Sequence, residues 1–274
     1  GAGGLCGVEP SGGRVSRVFL GQRIDCAQCH DHPFADWKQS QFEGLAACFA
    51  QARLSGVGVE DDPARVHRIT MGAAAGGMAQ GRNVPPRVPY GTEWFVGGGT
   101  HRENLAAWIV HPDNRRFDRA IANRAWAILF GRAWHEPVDD LPDPPEGERD
   151  LLDLLAEDFR AHGRDLRRLL SVVAGTRLFR AASTHPLLDS ADGAERVDAT
   201  WGAFPVTRLL PEQVIGAMVA TTSLGTVDGD SHLVTRAIRF FREIDFVREY
   251  GSAQDGQGRG SPRRAGRGGR ARPR

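Results

Sequence analysis

No run of about 18 consecutive apolar residues occurs in the 274 residues, so no segment reads as a membrane-spanning helix. Cysteine is scarce. The four sit at positions 6, 26, 29 and 48, too few and too unevenly spaced to staple a small secreted scaffold, and only one pair has the spacing of a motif. A dinucleotide fingerprint, a Gly-x-Ser-x-Gly elbow and a parallel-sheet pattern are also missing, which removes the usual nucleotide-dependent and α/β-hydrolase readings. The chain opens on Gly1 rather than Met and carries no signal-peptide apolar region. The expectation is therefore a fragment whose natural start, with its export signal, lies upstream.

What is present is ordinary globular material, 41% hydrophobic and 25% charged, enough for one large domain or two smaller ones with real cores. Net charge is only +1, but it is unevenly placed. Seven arginines against Asp255 put +6 on residues 251–274, leaving the preceding 250 residues at −5. A Gly/Arg/Pro stretch without apolar periodicity cannot offset the entropy of ordering, so 251–274 is expected to be a disordered basic tail. It lacks the interleaved aromatics of single-strand binders, and no nucleic-acid partner is expected.

Periodicity predicts a mostly α protein. Residues 13–24 place Val15, Val18, Phe19 and Leu20 near one helix face, and Trp37, Phe42, Leu45, Ala46 and Phe49 recur at helical spacing to about residue 53. Residues 55–100 are rich in glycine and proline and read as a long loop, with a short strand pair around Val57–Val59 and Val84–Val88. Four amphipathic helices follow at 101–110, 115–131, 148–162 and 164–180, and a final pair at 211–223 and 230–249. The expected organisation is a small N-terminal helical module over 1–60, a linker over 61–100, and a larger helical bundle over 101–250.

The chemistry concentrates in Cys26-Ala-Gln-Cys29-His30. Two thiols at i and i+3 lie on one side of a helical turn and can add to the two vinyl groups of a haem, while the adjacent imidazole reaches the iron. Cys26 and Cys29 are then the thioether anchors of a covalent haem c and His30 the proximal iron ligand. His32 is too close in sequence to reach the opposite haem face, so Met71 or Met78 is the candidate distal ligand, with His67 and His101 as weaker alternatives and a five-coordinate iron also open. A rival reading makes Cys26, Cys29 and His32 part of a zinc site, but no second half-site follows downstream. A thioredoxin-like dithiol lacks its βαβ setting.

Around the motif, Asp31, His32 and Asp36 are candidates to orient His30, with helix capping the favoured role for Asp36. Phe34 and Trp37 are expected to be buried, at a haem edge or in ordinary core. Farther on, Asn123, Arg124 and Trp126 share a helix that leads to Gly131-Arg132 and then Glu136-Pro-Val-Asp139-Asp140. Helix-end capping and surface ion pairs are the favoured roles there, because catalysis by these carboxylates would need a raised pKa in a cleft. No catalytic constellation is evident, and enzymatic activity stays open.

Val15-Ser-Arg-Val-Phe-Leu-Gly, Cys26-Ala-Gln-Cys-His-Asp-His-Pro-Phe34 and Phe42-x-Gly-Leu-Ala-Ala resemble the uncharacterised, planctomycete-rich proteins bearing the domain of unknown function numbered 1549. Their partner domain, numbered 1553, is resembled by Leu105-Ala-Ala-Trp108, Pro112-Asp-Asn114, Asn123-Arg-Ala-Trp126, Phe130-Gly-Arg132, Glu136-Pro-Val-Asp-Asp140, Leu151-Leu-Asp-Leu-Leu-Ala156, and Phe159 before Asp165-Leu. The resemblance implies an exported bacterial protein, periplasmic or at the cell surface. It is often preceded by a separate cytochrome c domain, which makes that domain or another redox protein the expected partner. Two stretches depart from the family pattern, Asp143-Pro-Pro and Ala133-Trp-His135. The resulting expectation is electron transfer through haem c; the alternative is a non-redox scaffold whose Cys/His cluster is structural or holds zinc.

Overall fold

The computed structural model describes residues 11–56, 58–70, 81–142, 147, 149–207, 209–222 and 233–250. The described chain is mostly α-helical and falls into two units that meet at residues 206 and 207. Met71, Met78 and the basic tail lie outside the described residues.

The first unit begins with a short helix α1 (Ser11–Val15) that widens at once into a π-turn, Ser16–Leu20. A π-turn rotates side chains off the stripe that α periodicity assigns them. Leu20 is accordingly buried while Val18 and Phe19 stay largely exposed, a departure from the single helix predicted over 13–24. Gly21 ends the turn at φ +58°, a left-handed conformation open to glycine at little cost. After the cysteine segment comes α2 (Gln39–Ala47), which buries Phe42, Leu45 and Ala46 as its spacing predicted.

The glycine- and proline-rich stretch is more structured than a loop. Strands β1 (Ala52–Ser55) and β2 (Gly58–Asp61) pair antiparallel, as do β3 (His67–Thr70) and β4 (Gly81–Val84). The predicted partners were mismatched: the segment near Val59 pairs backwards with Ala52–Ser55, and Val84 pairs with His67. Each strand pairs with its neighbour in sequence, because nearby pairing costs less loop entropy than joining 57 to 88.

Helices α3 (His101–Ile109), α4 (Arg115–Phe130) and α5 (Leu151–Ala161) lie where periodicity put them, whereas α6 (Leu166–Ala174) ends six residues short of the expected 180. Thr100 and Glu103 form a capping box on α3, Asp150 and Asp153 do so on α5, and Asp165 caps α6. A further helix α7 (Ala191–Ala199), capped by Ser190, was not anticipated; its Ala/Asp/Gly-rich sequence has little apolar stripe. Two apolar clusters result. One joins Leu20, Ile24, Phe42 and Leu45 to Leu105 and Trp108 of α3; the other joins Trp126 and Phe130 of α4 to Leu152, Phe159, Leu169 and Val173. Helix α3 thus packs with the N-terminal segment. In the second unit, α8 (Pro211–Thr222) and α9 (Leu233–Tyr250) flank a cleft of about 440 Å³ lined mainly by Ile215, Gly216, Phe240, Ile244 and Val247.

Candidate functional site

The cysteines are carried by a 3₁₀ turn, Asp25–Gln28, closed by Cys29 as its C-terminal residue. A 3₁₀ turn has three residues per turn, so positions i and i+3 eclipse and Cys26 and Cys29 project from the same side. The Ala27 amide donates to Ile24 O at 2.9 Å and the Cys29 amide to Cys26 O at 3.4 Å. Ala27 is buried beneath, whereas both thiols are free and exposed. Cys48 is the contrast: it is buried, and burial pushes its thiol up to about 12.

The two histidines of the motif are bonded in opposite senses. His30 Nδ1 lies 2.7 Å from Asp31 O, a carbonyl that can only accept. That nitrogen therefore carries the proton, and the Nε2 lone pair points outward unused. His32 Nδ1 instead accepts from the Phe34 amide at 3.2 Å, so its proton sits on Nε2 and its single acceptor lone pair is engaged. The His32 amide also donates to Trp37 O at 2.8 Å, which closes the His32–Trp37 loop. Among the described residues, no three His, Cys, Asp or Glu side chains are grouped as a metal cage would require.

Capping of α2 falls to Asp31 rather than Asp36. Asp31 accepts from the Gln39 amide at 2.9 Å and pairs with Lys38 at 3.2 Å, and these two partners hold its carboxyl below the usual range. Lys38 N is capped in turn by Gln41 at 2.8 Å. The burial expected for Phe34 does not occur. Phe34 is 92% exposed, because the loop closed through His32 and Trp37 turns it away from the core, while Trp37 packs partly against the first cluster. His67 is buried on β3, and His101 opens α3 with its amide donating to Gln51 at 3.3 Å.

The Arg/carboxylate region proves to be an interior network more than a set of surface pairs. Arg119, 2% exposed, donates to both oxygens of Asp150 at 2.8 and 3.0 Å and lies 2.6 Å from Asp153. Burial would raise both carboxyls, but the Arg119 bonds outweigh it and hold them below the ordinary range. His135 Nε2 meets Asp150 at 2.9 Å, and buried Asn123 clasps the His135 backbone through both its amide and carbonyl groups. Glu136 accepts from the Ala133 amide at 2.9 Å, closing a local turn. Arg23 donates to the single Oδ1 of Asp139 from Nη2 at 2.6 Å and from Nε at 3.0 Å, and this bonding overcomes burial to hold Asp139 low. That direction is opposite to what a general acid would need.

Sequence reasoning missed Arg119, Asp150 and Asp153 as one unit, and likewise Asp118 bound by Arg160 and Arg164. The readable signal was Arg115 and Arg119 one turn apart on the same helix that carries the apolar face, with Asp150 standing at a helix start.

The fold and site define a helical protein with an exposed Cys-x-x-Cys-His turn backed by an arginine–carboxylate interior. The chain belongs to the family PSD1, a protein of unknown function (DUF1553), whose model matches residues 101–261. Residues 11–54 match a second model, PSCyt2, also a protein of unknown function (DUF1549), so the two domains occur here as a pair. No curated protein matches the chain, and neither does any solved structure.

Proposed function

We propose that the Cys26–His30 turn is a covalent haem c attachment site and that the protein is an exported electron-transfer component. The observation that carries the reading is the hydrogen bond from His30 Nδ1 to Asp31 O, which leaves Nε2 as the nitrogen available to a metal on the same exposed segment as two free thiols. Metal-ligating histidines are commonly fixed in this way, with the second nitrogen bonded to a carbonyl. The donor set fits the group: two free, exposed thiols three residues apart for the vinyl carbons, and one imidazole nitrogen for the iron. Bound haem would supply a one-electron couple. The chain's own part is to hold the thiols on one side, to fix the imidazole through Asp31 O, and to anchor that loop to α2 through Asp31 and Gln39. The name of the second matching model, PSCyt2, supports an association with cytochromes.

The zinc alternative draws less support. His32 would have to give up its bond from Phe34 N before either nitrogen could bind a metal.

The test is a haem stain on denatured protein, exported in a host with c-type maturation, beside a Cys26→Ala/Cys29→Ala control. Haem that survives denaturation and vanishes in the control is the expected result. Absence of covalent haem, with stoichiometric zinc and folding lost on chelation, would overturn it.

A further inference from the structure

The cysteine turn is held by parts of the chain more than a hundred residues away. Asp25, its first residue, sits against Gly13, where a Cβ would come within 2.8 Å of the carboxylate, and accepts from Arg17 Nε at 2.6 Å. Arg17 also faces Asp139 at 3.7 Å, while Arg23, two residues before Asp25, donates twice to Oδ1 of the same Asp139. The Arg23 amide donates to Asp140 at 3.3 Å and the Leu141 amide to Gly21 O at 2.7 Å. From α4, Arg124 donates to the carbonyls of Arg17 and Val18 at 2.8 and 3.2 Å, satisfying groups that the π-turn leaves without helical partners. Residues 17–25 are thus strapped between α4 and the 136–141 loop. The strap lies within the PSCyt2 match and both of its holders within the PSD1 match.

We propose that the 136–141 loop is a positioning element for the Cys26/Cys29 pair, acting from Asp139 through Arg17 and Arg23 on Asp25. The two matching segments then contribute to one site: the first supplies the thiols and imidazole, the second fixes the turn that presents them. A carboxylate shared by two guanidinium groups suits this: Arg23 holds Oδ1 with two N–H donors while Arg17 faces Oδ2, so both oxygens are engaged from the strap. The inference rests on Cys26, Cys29 and His30 being the working groups, but not on which cofactor they take.

The test uses the whole chain without haem and reads the thiols two ways. Phenylarsine oxide must bridge both sulfurs, so its affinity reports their mutual placement; iodoacetamide, mapped by peptide, reports each thiol alone. Asp139→Asn is expected to weaken phenylarsine oxide binding about three- to five-fold, the size of one half-buried ion pair. Alkylation of Cys26 and Cys29 should stay unchanged, and hydrogen exchange at the Ala27 and Cys29 amides should speed up. Asp139→Glu should restore most of the affinity, and Arg53→Gln, which breaks the pair with Glu60 on the β1–β2 hairpin, should behave as wild type. Wild-type arsenical affinity and exchange in folded Asp139→Asn would overturn the proposal. Should that variant not fold, Arg23→Lys, which keeps the charge and loses the paired Nε and Nη2 donors, decides between the same two results. Loss of dithiol affinity in a protein that never takes covalent haem would leave the positioning intact and sink only the cofactor reading.

Discussion

Replacing Arg119 by Met removes the buried cation that Asp150 and Asp153 share at the start of α5. The Arg119 side chain is 2% exposed and Asp153 3%, so in the variant Asp153 keeps the more exposed Arg115 as its cation, and Asp150 keeps His135, beside the backbone amides of their capping box. Breaking a buried pair from one side costs about 3–5 kcal/mol, because the remaining charge stays desolvated. For a unit of this size that lowers Tm by about 6–20 °C, at roughly 2–4 °C per kcal/mol. The loss should depend on pH. In the wild type both carboxyls are held below their ordinary range, so the folded chain binds fewer protons than the unfolded one at acid pH. Their contribution is therefore complete above the unfolded value of about 4 and fades as pH falls through the lower folded values. In Arg119→Met the carboxyls can escape the penalty by protonating, so the deficit should be largest at pH 7 and shrink near pH 4. Urea titrations of both proteins at the two pH values check this. A deficit under about 1 kcal/mol at pH 7, or one of equal size at pH 4, would refute the reasoning.

The exposed Phe34 and the buried Phe42 should separate cleanly: Phe34→Ala should change stability by less than about 0.5 kcal/mol, and Phe42→Ala should cost about 3–5 kcal/mol by urea denaturation. Native-state alkylation followed by peptide mapping should modify Cys26 and Cys29 and spare Cys48 until the chain unfolds, since burial keeps that thiol protonated. Gly21→Ala combines a left-handed φ with a Cβ 2.7 Å from Leu141 Cδ1, and should cost about 1–2 kcal/mol from the backbone before any steric clash is added. Nitrogen-15 NMR of the imidazoles should find the neutral proton on Nδ1 of His30 and on Nε2 of His32; the reverse assignment for His30 would remove the main support for its ligand role.

The sequence by itself determined the helical class, the bounds of α3 to α5 to within a few residues, the start of α6, and the grouping of Cys26, Cys29 and His30. All of these are local: a 3.6-residue period, a capping residue or a three-residue spacing repeats within one or two turns and needs no distant partner. The burial of Phe42 followed from the same periodicity, whereas Phe34 was misjudged because its exposure is set by the loop closed between His32 and Trp37. Tertiary structure alone decided which strands paired, that α3 joins the first core, and that Arg119, Asp150, Asp153 and His135 meet. It alone brought Asp139 beside Arg23. Charged side chains read as surface in sequence because an isolated charge is costly to bury. Only the three-dimensional pairing reveals that these ones are matched, each held by a partner whose distance along the chain carries no periodic trace.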